Sequence, residues 1–308
     1  MPLGVAFALL SYSLYSCGDA LVKSFSGQVS VFEIGFVANL FALVPAAFAK
    51  RRGEHWRHAF RLAHPRLLHV RGLVALAGSL CITYSFTTIP LAEAYSIAFL
   101  TPLFITLLSV AVLKERVTLD RWILVGLSFV GVMIVVRPGF RELHLGHLTA
   151  LIASFASAGS TTILRVVSGK EQRLSIIAMN GMYQIVGSGL LMIFSFVLLP
   201  PLDFARLACI GLFGGTAQLI IIAALKRAPA SHVGPTQYVQ IVWAVIFGAT
   251  FYREFPDQIG VFGLVVVVIA GIMTVFSDGA RTRIAGRWSE FRARRGGPKF
   301  TDAEPPEL

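Results

Sequence analysis

Apolar residues in this chain neither alternate nor recur on one helical face. They run on without interruption. Uncharged stretches cover Pro2–Gly18, Ile34–Ala49, Gly72–Ala92, Ala94–Leu113, Trp122–Val136, Leu148–Leu164, Leu174–Leu199, Leu207–Leu225, Ala230–Tyr252 and Gln258–Phe276. A helix that crosses the hydrocarbon of a bilayer needs about 17–25 such residues. The first run extends through Asp19 toward Lys23. The third and fourth are separated only by Glu93. As one helix they would reach roughly 60 Å at about 1.5 Å per residue, twice the hydrocarbon thickness. Pro90 is the natural break, because proline cannot continue the hydrogen-bond ladder. Arg137-Pro138-Gly139 stops the fifth run and Pro200-Pro201 ends the seventh. The pattern predicts an all-α integral membrane protein of ten transmembrane helices.

The runs repeat. Pro90–Glu115 is matched 139 positions later by Pro229–Glu254, so that Pro90 meets Pro229, Lys114 meets Arg253 and Glu115 meets Glu254. Further back, Gly72 meets Gly211, Leu73 meets Leu212, Leu80 meets Leu219 and Ile82 meets Ile221. The starts of the halves match at an offset of 142, Gly4 with Gly146 and Lys23 with Arg165. The chain divides into residues 4–137 and 146–276, with a basic tail over 277–308. Five helices is an odd number, so the second half enters the membrane from the opposite side. The expected architecture is two inverted five-helix repeats.

Composition and charge sharpen this picture. The 308 residues are 56% hydrophobic and 14% charged, well below the roughly 25% charge of soluble domains. The net charge of +11 does not indicate nucleic acid, because the basic residues lie between apolar runs and not on one face. With the N-terminus in the cytoplasm, 22 of the 27 Lys and Arg fall on the inner side, as the positive-inside rule requires. Both termini are therefore expected in the cytoplasm, and the first run reads as a retained helix, not a cleaved signal. Glu54–His64, with Trp56, Phe60 and Ala63, and the tail, with Ile284, Trp288 and Phe291, intersperse apolar and basic residues. Each reads either as a short helix on the anionic inner leaflet or as a solvated basic segment. Cys17, Cys81 and Cys209 are scattered through apolar runs and form no disulfide framework.

Several stretches also resemble a known family: VFEIGFVANLFALVP at 31–45, PLAEA at 90–94, FLTPLFITLL at 99–108, LKERV at 113–117 and G-x4-GVMIVVRPG at 126–139. In the second half they are GG-x2-QL-x5-LKRAPAS at 214–231, Y-x4-WA at 238–244 and FYREFPD at 251–257. In order, spacing and duplication these are similar to the EamA-domain carriers of the drug/metabolite transporter superfamily, over about residues 4–276. The resemblance implies ten helices in two inverted repeats, a bacterial inner-membrane location and transport of small organic solutes. One departure is Ala38-Asn39, standing where such second helices often carry an arginine that could meet a substrate anion.

Polar groups in lipid cost several kcal/mol unless they face a cavity or a partner, so their positions map a pathway. Tyr12, Tyr15, Ser16, Asp19 and Lys23 share one face of the first helix. Asp19 is either a substrate or proton partner or half of an Asp19–Lys23 ion pair. Glu93 is either a carboxylate suited to a helix N-terminus or a group that couples protons or meets a substrate amine. Its mate is His232. The remaining histidines are expected in loops, and Glu115 and Glu254 are expected to be structural anchors. Further candidates are Asn39, Tyr84, Tyr95, Phe99, Thr101, Asn180, Tyr183, Gln218, Gln237, Tyr238, Gln240 and Trp243. Amides, hydroxyls and rings suit a small, partly apolar or aromatic solute, and each is equally able to serve helix packing. Pro102 and Pro235 are expected to loosen their helices. Gly126, Gly131, Gly214, Gly215 and Gly263 are expected to permit close helix contact.

The leading expectation is a secondary carrier working by alternating access, as a monomer or homodimer, with the lipid bilayer and a small molecule as its partners. No cofactor or metal is expected. No Walker-type phosphate loop is present, and proton coupling through Asp19 or Glu93, exchange and facilitated diffusion all fit. The alternatives are a membrane-embedded enzyme built on Ser188 and a non-transporting membrane subunit.

Overall fold

The computed structural model describes residues 2–47, 62–115, 117–139, 142–167 and 170–274. Most of Glu54–His64 and the whole tail from 277 lie outside the described residues. Within them the fold is helical, with no strand. The helices are α1 (Pro2–Lys23), α2 (Val31–Ala47), α3 (Pro65–Thr88), α4 (Leu91–Ala98), α5 (Thr101–Ala111), α6 (Leu119–Val136), α7 (Leu145–Val167), α8 (Arg173–Met182), α9 (Ser188–Met192), α10 (Pro201–Leu225), α11 (Ala230–Val233), α12 (Val239–Phe251) and α13 (Gln258–Thr274). Seven stretches are long and apolar enough to cross a membrane: Leu3–Lys23, Pro65–Thr88, Leu91–Ala111, Leu119–Val136, Leu145–Val167, Ser175–Met192 and Pro201–Leu225. Val31–Pro45 and α13 are apolar but shorter.

The element boundaries differ from the uncharged runs in ways the chemistry explains. Helix α3 starts at Pro65, not Gly72, and carries Arg66, His69 and Arg71 in its first turns. Helix α10 starts at Pro201, not Leu207, with Asp203 in its first turn. Helices continue past the apolar region into the zone where charge is solvated, so a run that stops at the first charge is too short. The seventh run is too long. Its helix passes through a π-turn at Tyr183–Gly187 and ends at Met192. The residue before a proline is pushed out of helical geometry, and Pro201 serves as the first residue of the next helix.

Two breaks interrupt the elements that matter most. The chain turns at Phe99–Leu100 between α4 and α5, just ahead of Pro102. Pro102 has no N–H for the carbonyl of Ala98, and the Thr101 hydroxyl donates to that carbonyl at 2.7 Å. The ninth run breaks into α11, a 3-10 turn at Gly234–Tyr238 containing Pro235, and α12. There the Thr236 hydroxyl donates to the Val233 carbonyl at 2.6 Å.

Helix α1 lies along α10, and α3 lies along α7. Each half thus lends its first helix to the third helix of the other, and the close contacts come in mated pairs. A Cβ on Gly4 would meet Ala228 at 2.6 Å, and one on Gly146 would meet Ile89 at 2.7 Å. Ile89 and Ala228 are mates at the 139 offset. A Cβ on Gly211 would meet Phe41 at 2.8 Å, and one on Gly72 the Tyr183 ring at 2.2 Å. Gly131, Gly215 and Gly263 are similarly pressed, whereas Gly126 and Gly214 have nothing within 4 Å and need another explanation. Helices α5 and α12 end alike. Lys114 and Arg253 both take φ of 55°, while the N–H of Glu115 reaches Ser109 O at 3.1 Å and that of Glu254 reaches Gly248 O at 2.9 Å. In each, a left-handed residue turns the chain so that the next N–H reaches back six positions to a carbonyl of the last turn, a wider relative of the usual left-handed helix cap.

Candidate functional site

The ends of α1 and α7 are held by crossed ion pairs. Lys23 Nζ lies 2.7 Å from Glu254 Oε1 and donates to Ile89 O at 2.7 Å. Its partner's other oxygen accepts from the Leu91 N–H at 3.3 Å. Tyr252 places its ring 5.6 Å from Nζ and its hydroxyl on Ala20 O. The expected Asp19–Lys23 pair is therefore not formed, because Glu254, from the other half, takes the lysine. In the mated contact Arg165 Nη1 lies 3.4 Å from Glu115 Oε2 and 3.4 Å from Ser109 Oγ. The first pair is largely shielded, with side chains 8% and 24% exposed. The second is open, at 49% and 46%. Gly146, at the start of α7, abuts Thr88 beside the lysine's carbonyl partner. The C-terminus of α1 and the N-terminus of α7 thus share one end, and the two ion pairs sit at opposite ends.

Below the Lys23 pair, one turn along α1, Asp19 accepts a hydrogen bond from the Tyr95 hydroxyl. That hydroxyl also receives Gln240 Nε2 at 3.5 Å. Tyr95 belongs to a string of rings. Its centroid is 5.2 Å from Phe86 and 6.3 Å from Phe99, and Phe99 is 4.7 Å from Tyr238. Phe99 and Tyr238 are themselves mates at the 139 offset, so the two helix breaks face one another. Deeper along α1, Tyr15 donates to Gln218 Oε1 at 2.6 Å, Tyr12 packs 6.4 Å from Tyr15, and the Trp243 indole donates to Ser13 Oγ at 2.8 Å. The structure therefore brings Tyr12, Tyr15, Asp19, Tyr95, Phe99, Gln218, Tyr238, Gln240 and Trp243 to one seam between α1, α4, α10 and α12. Gln237 lies in the 3-10 turn beside them.

The other candidates lie elsewhere. Asn39 Nδ2 donates to Gly35 O of its own helix at 2.8 Å, and Thr101 is occupied with Ala98 O. Tyr183 hydrogen-bonds His69 at 2.8 Å near Leu68, Val167 and Met179. Tyr84 is half-buried on α3, its carbonyl taken by Thr87 and Thr88. Glu93 faces His147 Nε2 at 3.0 Å. His69 and His147 lie within α3 and α7, so the expectation that these histidines occupy loops is corrected. Leu145–Gly146–His147 starts a helix earlier than its first fully apolar residues imply. No periodicity signals a pairing 54 residues apart. Among the described residues no group of three or more His, Cys, Asp and Glu side chains is placed to hold a metal. Ser188 is fully buried and its hydroxyl has no hydrogen-bond partner among the described residues. A cavity of about 120 Å³ lies at the Lys23 end, lined in part by Pro90, Glu93, Ala244 and Glu254. It is well below the about 300–1,000 Å³ of small-molecule pockets.

The EamA-like transporter family matches residues 2–137 and 144–276. The chain belongs to that family. Relatives of this EamA-like chain include the "S-adenosylmethionine uptake transporter" of Rickettsia prowazekii, 24% identical over 276 residues, covering 89% of this chain and 93% of the relative. The "Pseudopaline exporter CntI" of Pseudomonas aeruginosa PAO1 is 27% identical over 271 residues, covering 87% and 94%. Human "Solute carrier family 35 member G1" is 28% identical over 302 residues, covering 88% and 78%. A solved crystal structure covers 91% of the EamA-like chain and 98% of its own, with TM-score 0.60 and 18% identity, which speaks for the fold alone. The family match and the apolar helices make this a multi-pass membrane protein.

Proposed function

We propose that the EamA-like chain is a secondary carrier that moves a small organic solute across a bacterial inner membrane by alternating access. Its frame is ten crossings, formed by inverted five-helix repeats over 4–137 and 146–276, with both termini and the 277–308 tail in the cytoplasm. The crossed ion pairs carry this reading. Lys23–Glu254 joins the end of the first helix of one half to the end of the fourth helix of the other, and Arg165–Glu115 does the same with the halves exchanged. A contact made twice, at opposite ends, is what two inverted halves rocking about a central site need as closures. The Lys23 pair is the better shielded of the two and the Arg165 pair is half-exposed, which supports the Lys23 end as the shut one in this conformation. Placing the N-terminus inside by the charge bias makes the shut end the outer one.

The seam offers amides, hydroxyls, rings and one carboxylate. These groups bind and orient a solute, but they do not assemble a nucleophile with its base. The burial of Ser188 disfavours the enzyme reading. Proton coupling enters through Asp19 or through the Glu93–His147 pair, and uptake with and without an imposed proton gradient separates it from exchange. The test is reconstitution of the purified chain in liposomes and a screen of labelled solutes. S-Adenosylmethionine comes first, because a relative is named for its uptake. Saturable uptake of one solute, competed by its unlabelled form, is expected. A folded protein that carries none of S-adenosylmethionine, amino acids, vitamins, nucleosides and pseudopaline would sink the proposal.

A further inference from the structure

Asp19 lacks the counter-charge or helix N-terminus that accompanies other acids at the helix ends. Glu254 has Lys23, Glu93 has His147, Asp257 has Arg137 and Glu115 has Arg165. Glu33, which is buried, lies in the first turn of α2 and accepts the Val197 N–H at 3.3 Å, so a helix N-terminus stands in for its base. Asp19 is near the C-terminal end of α1, where the helix dipole opposes a negative charge. Its hydrogen-bonding partner is a neutral phenol, and no Lys, Arg or His pairs with it among the described residues. The nearest base along the helix, Lys23, is held by Glu254 and Ile89 O. The carboxylate is nevertheless held in a defined place. Tyr95, only 5% exposed, donates to it and is itself steadied by Gln240. Beside it runs the unbroken ring string Phe86, Tyr95, Phe99 and Tyr238. A fixed carboxyl group next to aromatic faces is a receptor for a weakly hydrated organic cation, because ring faces attract positive charge and such a cation loses little on leaving water.

Resting on the carrier reading, we propose that the solute is an organic cation, its charged head against Asp19 and its flat or apolar body along Phe99 and Tyr238. The repeat itself marks the group as special. The position of Asp19 in the second half, 142 residues on, is Thr161, and those of Tyr12 and Tyr15 are Ser154 and Ser157. The frame is doubled, but the anion and its phenols are present once.

The test is equilibrium binding to the purified full chain in nanodiscs with permanent cations and their uncharged counterparts: 1-methylnicotinamide against nicotinamide, and choline against 3,3-dimethylbutan-1-ol. Each cation is expected to bind at least tenfold more tightly than its counterpart. Asp19→Asn is expected to erase that preference while leaving the neutral compounds within about twofold, and Asp19→Glu to keep it. Equal or weaker binding of both cations by the wild-type chain overturns the proposal and requires no variant to fold. A preference that survives in Asp19→Asn overturns it too. Either result leaves the carrier reading intact if some other solute shows saturable uptake. Absence of any uptake sinks the carrier reading itself.

Discussion

Single atoms decide the chemistry of the seam. The Tyr95 hydroxyl ties α4 to Asp19 on α1 and to Gln240 on α12. Hydrogen bonds to charged groups contribute about 1.5–3 kcal/mol, so Tyr95→Phe is expected to raise KM for the carried solute by roughly 10- to 100-fold. Part of the loss should also appear as a lower melting temperature, because the bond is made within the folded protein, although the ring contacts with Phe86 and Phe99 remain. The measurement is uptake kinetics beside a melting curve. A different residue test concerns glycine. A Cβ at Gly211 would stand 2.2 Å from the Ala38 carbonyl oxygen, and backbone does not move aside cheaply. Gly211→Ala is expected to lose about 1–3 kcal/mol, whereas Gly126→Ala, with open space around it, should be neutral or slightly stabilising in a helix. The sequence treats the two glycines alike. Their difference lies in which helix faces them, and that is a property of packing, not of local pattern. Asp19 and Lys23 show the same limit. Four-residue spacing is a sound reason to expect an ion pair, and a glutamate 231 residues away outcompetes it.

At the scale of the element, uncharged runs were enough to find the helices but poor at locating their ends. Charged residues belong to the helix where it enters the headgroups, as Arg66 and Asp203 do, and proline pairs begin helices as readily as they end them. The break at Phe99–Leu100 was foreshadowed by Pro102, and the π-turn at Tyr183–Gly187 was not, because no residue type demands one. Pro102→Ala restores an N–H able to reach Ala98 O. It is expected to join α4 and α5 into one helix, to raise the melting temperature by a few degrees and to slow the maximal uptake rate with KM nearly unchanged. A variant as fast as the wild type would show that the break serves packing alone.

For the molecule as a whole, the repeat is a property of the sequence, because duplication leaves both halves with the same punctuation. How the halves cross is not legible there, since nothing in a linear repeat says that Lys23 meets Glu254 and not Glu115. The crossing gives the two ion pairs different energetics. Removing the base from the shielded pair by Lys23→Met leaves Glu254 uncompensated and is expected to cost about 1–3 kcal/mol, less than the about 3–5 kcal/mol of a fully buried pair because Glu254 is partly wet. Reversing both charges, Lys23→Glu with Glu254→Lys, should recover only part of the loss, because the swapped pair turns an acceptor toward Ile89 O and a donor toward the Leu91 N–H. Arg165→Met, at the half-exposed pair, should shift stability by less than about 1 kcal/mol. Transport should respond differently from stability. Thiol cross-linking of Lys23→Cys to Glu254→Cys, or of Glu115→Cys to Arg165→Cys, is expected to stop uptake in either case and to release it on reduction.

The tilted ring pair Phe99 and Tyr238 joins positions that the repeat maps onto each other. By helical rise Phe99 lies about 12 Å from where α4 begins, away from either ion pair. Such a contact sits on the pivot of a seesaw. Tilting one half against the other lengthens the tie at one rim as it shortens the tie at the other, and leaves the fulcrum where it was. A distance reporter spanning Phe99 and Tyr238 should stay silent through the whole transport cycle, while reporters on the two rims move in antiphase.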